Sequence, residues 1–180
     1  VELDANPEVT HLQESTVWGY RENNLLMITE RTPAEKHVFQ RGWKARACHV
    51  VVATGAIERN LVFNNNDRPG IMLASAVQAY LNEFGVIPGH SPIIFTNNSS
   101  AYQLAHELQA AGTKVAGVVD SRPADAIGAE KDGLETPLYA GHQILTTHGG
   151  KHITAVTIRS KDGTTTRFNC DLVAVTCGWN

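Results

Sequence analysis

Residues 96–101, Thr96-Asn97-Asn98-Ser99-Ser100-Ala101, carry the most chemistry in this sequence. They follow a short apolar run at 92–95 and precede apolar residues at helical spacing, Ala101, Leu104, Ala105 and Leu108. A strand, a polar loop and a helix in that order form the setting of the dinucleotide-binding turn G-x-G-x-x-G/A. In that turn the first glycine permits a tight bend, the second leaves bare backbone for a pyrophosphate, and the third lets helix pack on strand. Here Thr96 stands at the first position, Asn98 at the second, and Ala101 meets the third. Only the packing position is satisfied. Asn tolerates left-handed backbone better than other side chains, so the bend is feasible. The Asn98 side chain nevertheless crowds a pyrophosphate in its usual place. The helix N-terminus still offers N–H groups to an anion, which makes Thr96, Asn97, Asn98, Ser99 and Ser100 candidate cofactor contacts. Two readings stay open: real nucleotide contact, or a scaffold whose phosphate loop has degenerated.

Asp120 closes the next apolar run, 24 positions after Thr96. An acid about 20 residues past the turn is the usual partner of a ribose 2′-hydroxyl. Asp120 therefore joins the candidates and points to NAD, while Arg122 keeps NADP open. A strand-ending Asp is also a common turn residue. Two sequons, at Asn97 and Asn98, read as chance without a secretion signal. His148 and His152 have H-x3-H spacing, but Gly149 and Gly150 between them argue against a helix that would align them as metal ligands. There is no G-x-S-x-G element and no C-x-x-C pair, so neither a nucleophile elbow nor a dithiol is carried here. No residue is assigned as catalytic and none as a metal ligand.

The elements around these residues come in two styles. Residues 9–53 show β-branched and aromatic residues between turn signals and no 3.6 period, which predicts an antiparallel β-meander. Gly42 is read there as a hairpin turn. Residues 50–55, Val-Val-Val-Ala-Thr-Gly, form an unbroken apolar run, predicting a strand buried on both faces. Ala53, Thr54 and Gly55 at its end are further candidate cofactor contacts. Residues 56–70 are rich in turn formers and read as a connector. Leu73, Val77, Tyr80, Leu81 and Phe84 line one helical face, with Gly85 as its terminator. Ser100 and Gln103 have capping-box spacing, with Ser100 as N-cap. Residues 92–120 then make a βαβ unit. Residues 121–141 resist assignment. Strands are expected at 143–147, 153–160, 164–169 and 171–176, with a hairpin turn at Lys161-Asp162-Gly163. The last run echoes 50–55, suggesting the same kind of unit twice. The fold class expected is α/β, a Rossmann-like domain of FAD/NAD(P)-binding type with an attached antiparallel meander. The division is 1–60 as part of a first dinucleotide-binding domain, 61–90 as connector and helix, and 91–180 as a second Rossmann-like domain.

The chain has 180 residues, 15 Lys and Arg against 18 Asp and Glu, and a net charge of −3. That balance argues against a nucleic-acid partner. No apolar stretch reaches membrane-span length, and the polar, acidic start has no signal-peptide core. The missing initial Met and the stop just after an apolar run suggest a piece of a longer protein. Cys170 and Cys177, read as lying in one strand, would be about 23 Å apart and beyond bridging distance. The three cysteines then read as free thiols of a cytoplasmic protein.

The run 50–89 (VVVATGAIERNLVFNNNDRPGIMLASAVQAYLNEFGVIPG), with FTNNSSAYQLAHEL and CDLVAVTCGWN, resembles one group. That group is the α subunits of heterotetrameric sarcosine oxidases with their relatives in opine oxidases and hydrogen cyanide synthase. More broadly the chain is similar to two-dinucleotide-domain flavoproteins of the pyridine nucleotide–disulfide oxidoreductase type. The resemblance is strong from residue 50 onward and weaker before it. It implies that Ala53, Thr54 and Gly55 pass beside a bound dinucleotide. It further implies NAD on the α subunit, FAD and FMN in the assembly, other subunits as partners and a small amine as substrate. The amine-oxidising site is then expected on a partner subunit. The alternatives are a non-catalytic module that docks subunits and holds no cofactor itself, and a free-standing short NAD enzyme.

Overall fold

The computed structural model describes residues 2–32 and 37–180, with the side chains of residues 2 and 3 left out of the description. The predicted break at Thr32-Pro33 falls partly outside the described residues. The chain divides into two compact units, Val1–Thr54 and Gly55–Asn180.

The first unit is the expected meander. β1 (Ser15–Arg21), β2 (Leu25–Arg31) and β3 (Gln40–Arg46) form an antiparallel sheet in the order β1-β2-β3. Asn23 and Asn24 both take positive φ in the turn between β1 and β2, the backbone that Asn tolerates and most residues avoid. Gly42 is not a turn. It sits within β3 opposite Thr29, because the reversal comes earlier in the chain. Residues 50–54 also differ from expectation: they form no strand, and Val51 and Val52 are 88 % and 74 % exposed. An apolar run becomes a two-face-buried strand only if strands flank it, and among the described residues none pairs with this one.

The second unit is three layers. Its centre is a five-stranded parallel sheet in the order β4-β11-β5-β6-β7, made of β4 (Ile71–Leu73), β5 (Pro92–Thr96), β6 (Gly117–Asp120), β7 (Leu138–Ala140) and β11 (Leu172–Thr176). Helices α1 (Ala74–Phe84) and α2 (Ser100–Ala110) cover one face. An antiparallel sheet of β8 (Gln143–Gly149), β9 (Ile153–Arg159) and β10 (Thr165–Asn169) covers the other. The alternation of side chains on each strand produces this sandwich. Ile94, Val118, Leu172 and Ala174 join the helix-side core, while Ile93, Phe95, Val119, Val173 and Val175 join the core on the side of the β8–β10 sheet. Both faces of β5, β6 and β11 are therefore buried, which is why their sequences read as continuous apolar runs.

Local signals held where the chain itself supplies the partner. Gly85 adopts φ 64° after α1, and its N–H donates to the Leu81 carbonyl while that of Val86 donates to Tyr80; the bond from Gly85 to Leu81 is the 5→1 closure of a left-handed C-terminal cap. β4 and β7 leave no signal in the sequence; at three residues each they are too short to show a pattern. Cys170 and Cys177 flank β11 rather than lying in it, and Cys48, Cys170 and Cys177 are all free. No helix among the described residues is long and apolar enough to cross a membrane.

Candidate functional site

The C-terminal ends of β5, β6 and β11 bring the loop 96–100 and Asp120 together. Thr96 pairs with Asp120 across β5 and β6 and with Thr176 across β5 and β11. Such strand ends are where open α/β sheets take their ligands. In this chain the space is filled by its own side chains.

The loop closes through Thr96 and Asn98. The Thr96 hydroxyl, fully buried, accepts from the Asn98 N–H at 3.0 Å and donates to the Asn98 carbonyl at 2.9 Å. Asn98 Oδ1 accepts from the Ser100 N–H at 3.0 Å and from the Ser100 hydroxyl at 2.6 Å. The predicted capping box at Ser100 is not formed. Ser100 is already helical, Ser99 is the N-cap without a side-chain cap bond, and Gln103 donates to Glu107 instead. Asn98, two residues before the helix, caps it, because Asn bonds readily to backbone two positions on. Asn97 donates to Cys177 Sγ at 3.3 Å, tying the loop to the end of β11. An anion would meet Asn98 Oδ1 where a glycine would expose backbone, so the residues present do not fit a pyrophosphate in its usual cradle.

Asp120 is equally committed. Its carboxylate is fully buried. It accepts from the Arg122 backbone N–H at 2.9 Å, from Arg122 Nη2 at 2.8 Å and from the Tyr102 hydroxyl at 2.8 Å. Arg122 also reaches Ser99 Oγ at 3.3 Å, closing the ring back onto the loop. Burial, then the bond to Asp120, pushes the Tyr102 hydroxyl well above its ordinary pKa, so it stays a donor. The bond to Asp120 holds the Arg122 guanidinium above its usual value. Tyr102 is fully buried and lay outside the predicted helix face. The available signal was its register: a Tyr at the start of a helix whose strand partner ends in Asp.

Ala53, Thr54 and Gly55 are all exposed. Ala53 and Thr54 close the first unit, and line a groove of its own with Val17, Trp18 and Tyr20. Gly55 opens the second unit at φ 76°, with open space where a Cβ would stand. Among the described residues no cluster of His, Cys, Asp or Glu could hold a metal ion.

No family model matches the chain. It is 40 % identical over 99 % of its length to sarcosine oxidase subunit alpha of Rhizobium meliloti (strain 1021), of which it spans 18 %. It is 41 % identical, again over 99 % of its length, to sarcosine oxidase subunit alpha of Corynebacterium sp. (strain P-1), of which it spans 20 %. The match thus takes in the weaker resemblance before residue 50 as well as the strong one after it, and the chain spans about a fifth of the length of these relatives. Among solved structures, L-proline dehydrogenase from P. horikoshii superposes with a TM-score of 0.59 at 18 % identity, over 93 % of this chain and 28 % of that one. An FAD-dependent pyridine nucleotide-disulphide oxidoreductase from Desulfovibrio vulgaris gives 0.57 at 13 % identity, over 93 % of this chain and 43 % of that one. The fold is the α/β architecture shared with these proteins.

Proposed function

We infer that this chain, similar along its whole length to sarcosine oxidase subunit alpha, supplies dinucleotide-domain scaffold to a flavin-dependent amine oxidoreductase and not its bond-breaking site. The reaction of the whole enzyme is then sarcosine with water and oxygen giving glycine, formaldehyde and hydrogen peroxide. The observation that carries the reading is identity of 40–41 % over 99 % of the chain to α subunits from two genera. The flavins, FAD and FMN, supply the electron transfer when bound, while a scaffold supplies orientation. NAD is the dinucleotide assigned to the α subunit, other subunits of the oxidase are the partners, and cytoplasm is the compartment. Ala53, Thr54 and Gly55 are the contacts best suited to a dinucleotide, since all three are exposed and Gly55 leaves open space. Residues 96–100 and Asp120 serve the scaffold instead.

A second reading, a cofactor-free module that docks subunits, draws on one observation: the phosphate cradle of the second unit is filled by Thr96, Asn98 and Ser100. Thermal melting of the full chain with NAD, NADP and FAD separates the two. Ligand at a hundred times its Kd adds about 2.7 kcal/mol. A shift with NAD that is lost in Gly55→Val and kept in Asp120→Asn supports the scaffold reading with its contacts at 53–55. No shift with any of the three favours the docking module. A shift lost in Asp120→Asn, with the fold intact by circular dichroism, returns the contact to the second unit.

A further inference from the structure

One cavity at the ligand edge of the second unit has no part in the filled cradle. It measures about 310 Å³ and is lined by Ser121, Gly141, Gln143, Arg159, Ser160, Lys161 and Gly163. Ser121 directly follows β6, Gly141 directly follows β7, and Arg159 ends β9. The cavity therefore lies where two parallel strands finish, beside the Asp120–Arg122 pair.

Its chemistry is cationic. Among the described residues neither Arg159 nor Lys161 makes an ion pair. The neighbouring carboxylates are already occupied. Asp162 accepts from the Ser160 hydroxyl and from the Thr164 N–H inside its own hairpin. Asp120 is held by Arg122 and Tyr102. Two glycines line the cavity, and both take positive φ, Gly141 at 70° and Gly163 at 89°, a backbone that few other residues adopt. In a chain of net charge −3, two unpaired cations around one concavity mark a local reversal of sign, and such a concavity concentrates anions.

We propose that this cavity between the ends of β6 and β7 and the β9–β10 hairpin binds a phosphate group, with Arg159 and Lys161 as the charged donors and the Ser121 hydroxyl beside them. The guanidinium fork suits two phosphate oxygens and the ammonium a third. The site is separate from the loop at 96–100 and does not rest on the dinucleotide reading.

The test is calorimetric titration of the full chain with inorganic phosphate, read alongside amide shifts of Ser121, Gly141 and Gly163. Binding in the millimolar range with shifts at those three amides is expected. Removing one charged donor weakens a phosphate contact by about tenfold, so Arg159→Ala and Lys161→Ala each lose about that much and the double variant binds nothing measurable. Both side chains are exposed, so melting temperatures should stay at the wild-type value, and a loss of binding is then not a loss of fold. Asn98→Gly should leave phosphate affinity unchanged. Ribose 5-phosphate and adenosine monophosphate identify the source: tighter binding of the first marks a free sugar phosphate, tighter binding of the second a nucleotide. No binding to wild type, binding that survives the double variant, or amide shifts confined to residues 97–101 would each overturn the proposal.

Discussion

Two stretches of this chain are nearly the same word. Cys48-His49-Val50-Val51-Val52-Ala53-Thr54-Gly55 and Cys170-Asp171-Leu172-Val173-Ala174-Val175-Thr176-Cys177-Gly178 share an apolar run, a Thr and a closing Gly. The second is β11, hydrogen-bonded to β4 on one side and β5 on the other, with Val173 and Val175 fully buried. The first has Val51 and Val52 in the open. Their leading cysteines follow suit. Cys48 is exposed, whereas Cys170 is buried and its thiol is pushed up to about 12, by burial first and by the neighbouring Asp171 second. A two-face-apolar run states a demand for neighbours; whether it becomes a strand depends on what chain stands on either side.

The strongest way to break this comparison is to place one charge in each run. Val175→Asp buries an unpaired carboxylate between two sheets and should cost more than about 4 kcal/mol, enough to unfold the second unit. Val52→Asp, at 74 % exposure, should stay within about 0.5 kcal/mol. Urea unfolding followed by circular dichroism reads both. Equal costs would mean that residues 50–54 are packed in solution, and the contrast between the runs would collapse.

The strand ends differ as well, and Asp120 sharpens that difference. Asp120→Ala leaves the Tyr102 hydroxyl and the Arg122 guanidinium without their shared acceptor. Losing one partner of a buried pair costs about 3–5 kcal/mol. Arg122 keeps 23 % of its side chain in solvent and can turn outward, so about 2–3 kcal/mol is expected by the same denaturation. A cost below about 0.5 kcal/mol would mean that the ring Asp120–Tyr102–Arg122–Ser99 does not hold the loop. Asn98→Ala is a smaller cut. It removes the acceptor for Ser100 and should cost about 1 kcal/mol in the same denaturation, the usual cost of replacing a capping Asn by Ala.

Much of this was legible beforehand, and the failures share a cause. The βαβ unit, the face of α2 and the Gly85 terminator are local: apolar spacing and a left-handed glycine settle them within about a dozen residues. Residues 50–55 depart from the pattern because burial needs partners that a pattern cannot name. Gly42 departs from it because glycine marks a turn only when φ demands it, and here it lies in a paired strand. In the site, position identified Asp120 and the loop as neighbours. What position could not reveal was the hydroxyl of Tyr102, arriving from a helix 18 residues earlier to occupy the carboxylate.

The smallest expected effect distinguishes how the two runs begin. Asp171 precedes β11, where the exposed run has His49. Its carboxylate accepts from the Ser91 N–H at 2.8 Å and from the His90 N–H at 2.7 Å, fastening the start of β5 to the start of β11. Burial raises its pKa, but the donors of His90 and Ser91 outweigh it, and the net result lies below the ordinary carboxylate value. A depressed folded-state pKa contributes stability that is complete above the unfolded value, near pH 4, and is lost as pH falls through the folded one. The urea midpoint of the wild type should therefore decline on acidification below about pH 4 more steeply than that of Asp171→Asn. The two proteins should converge at the acid end and differ most near neutrality. With 38 % of the Asp171 side chain exposed, solvent screens the interaction and the gap stays modest. Parallel acid limbs would show that β11 holds its place by its flanking strands alone. The partnered run would then owe nothing to its acid, and the two runs would differ only in their neighbours.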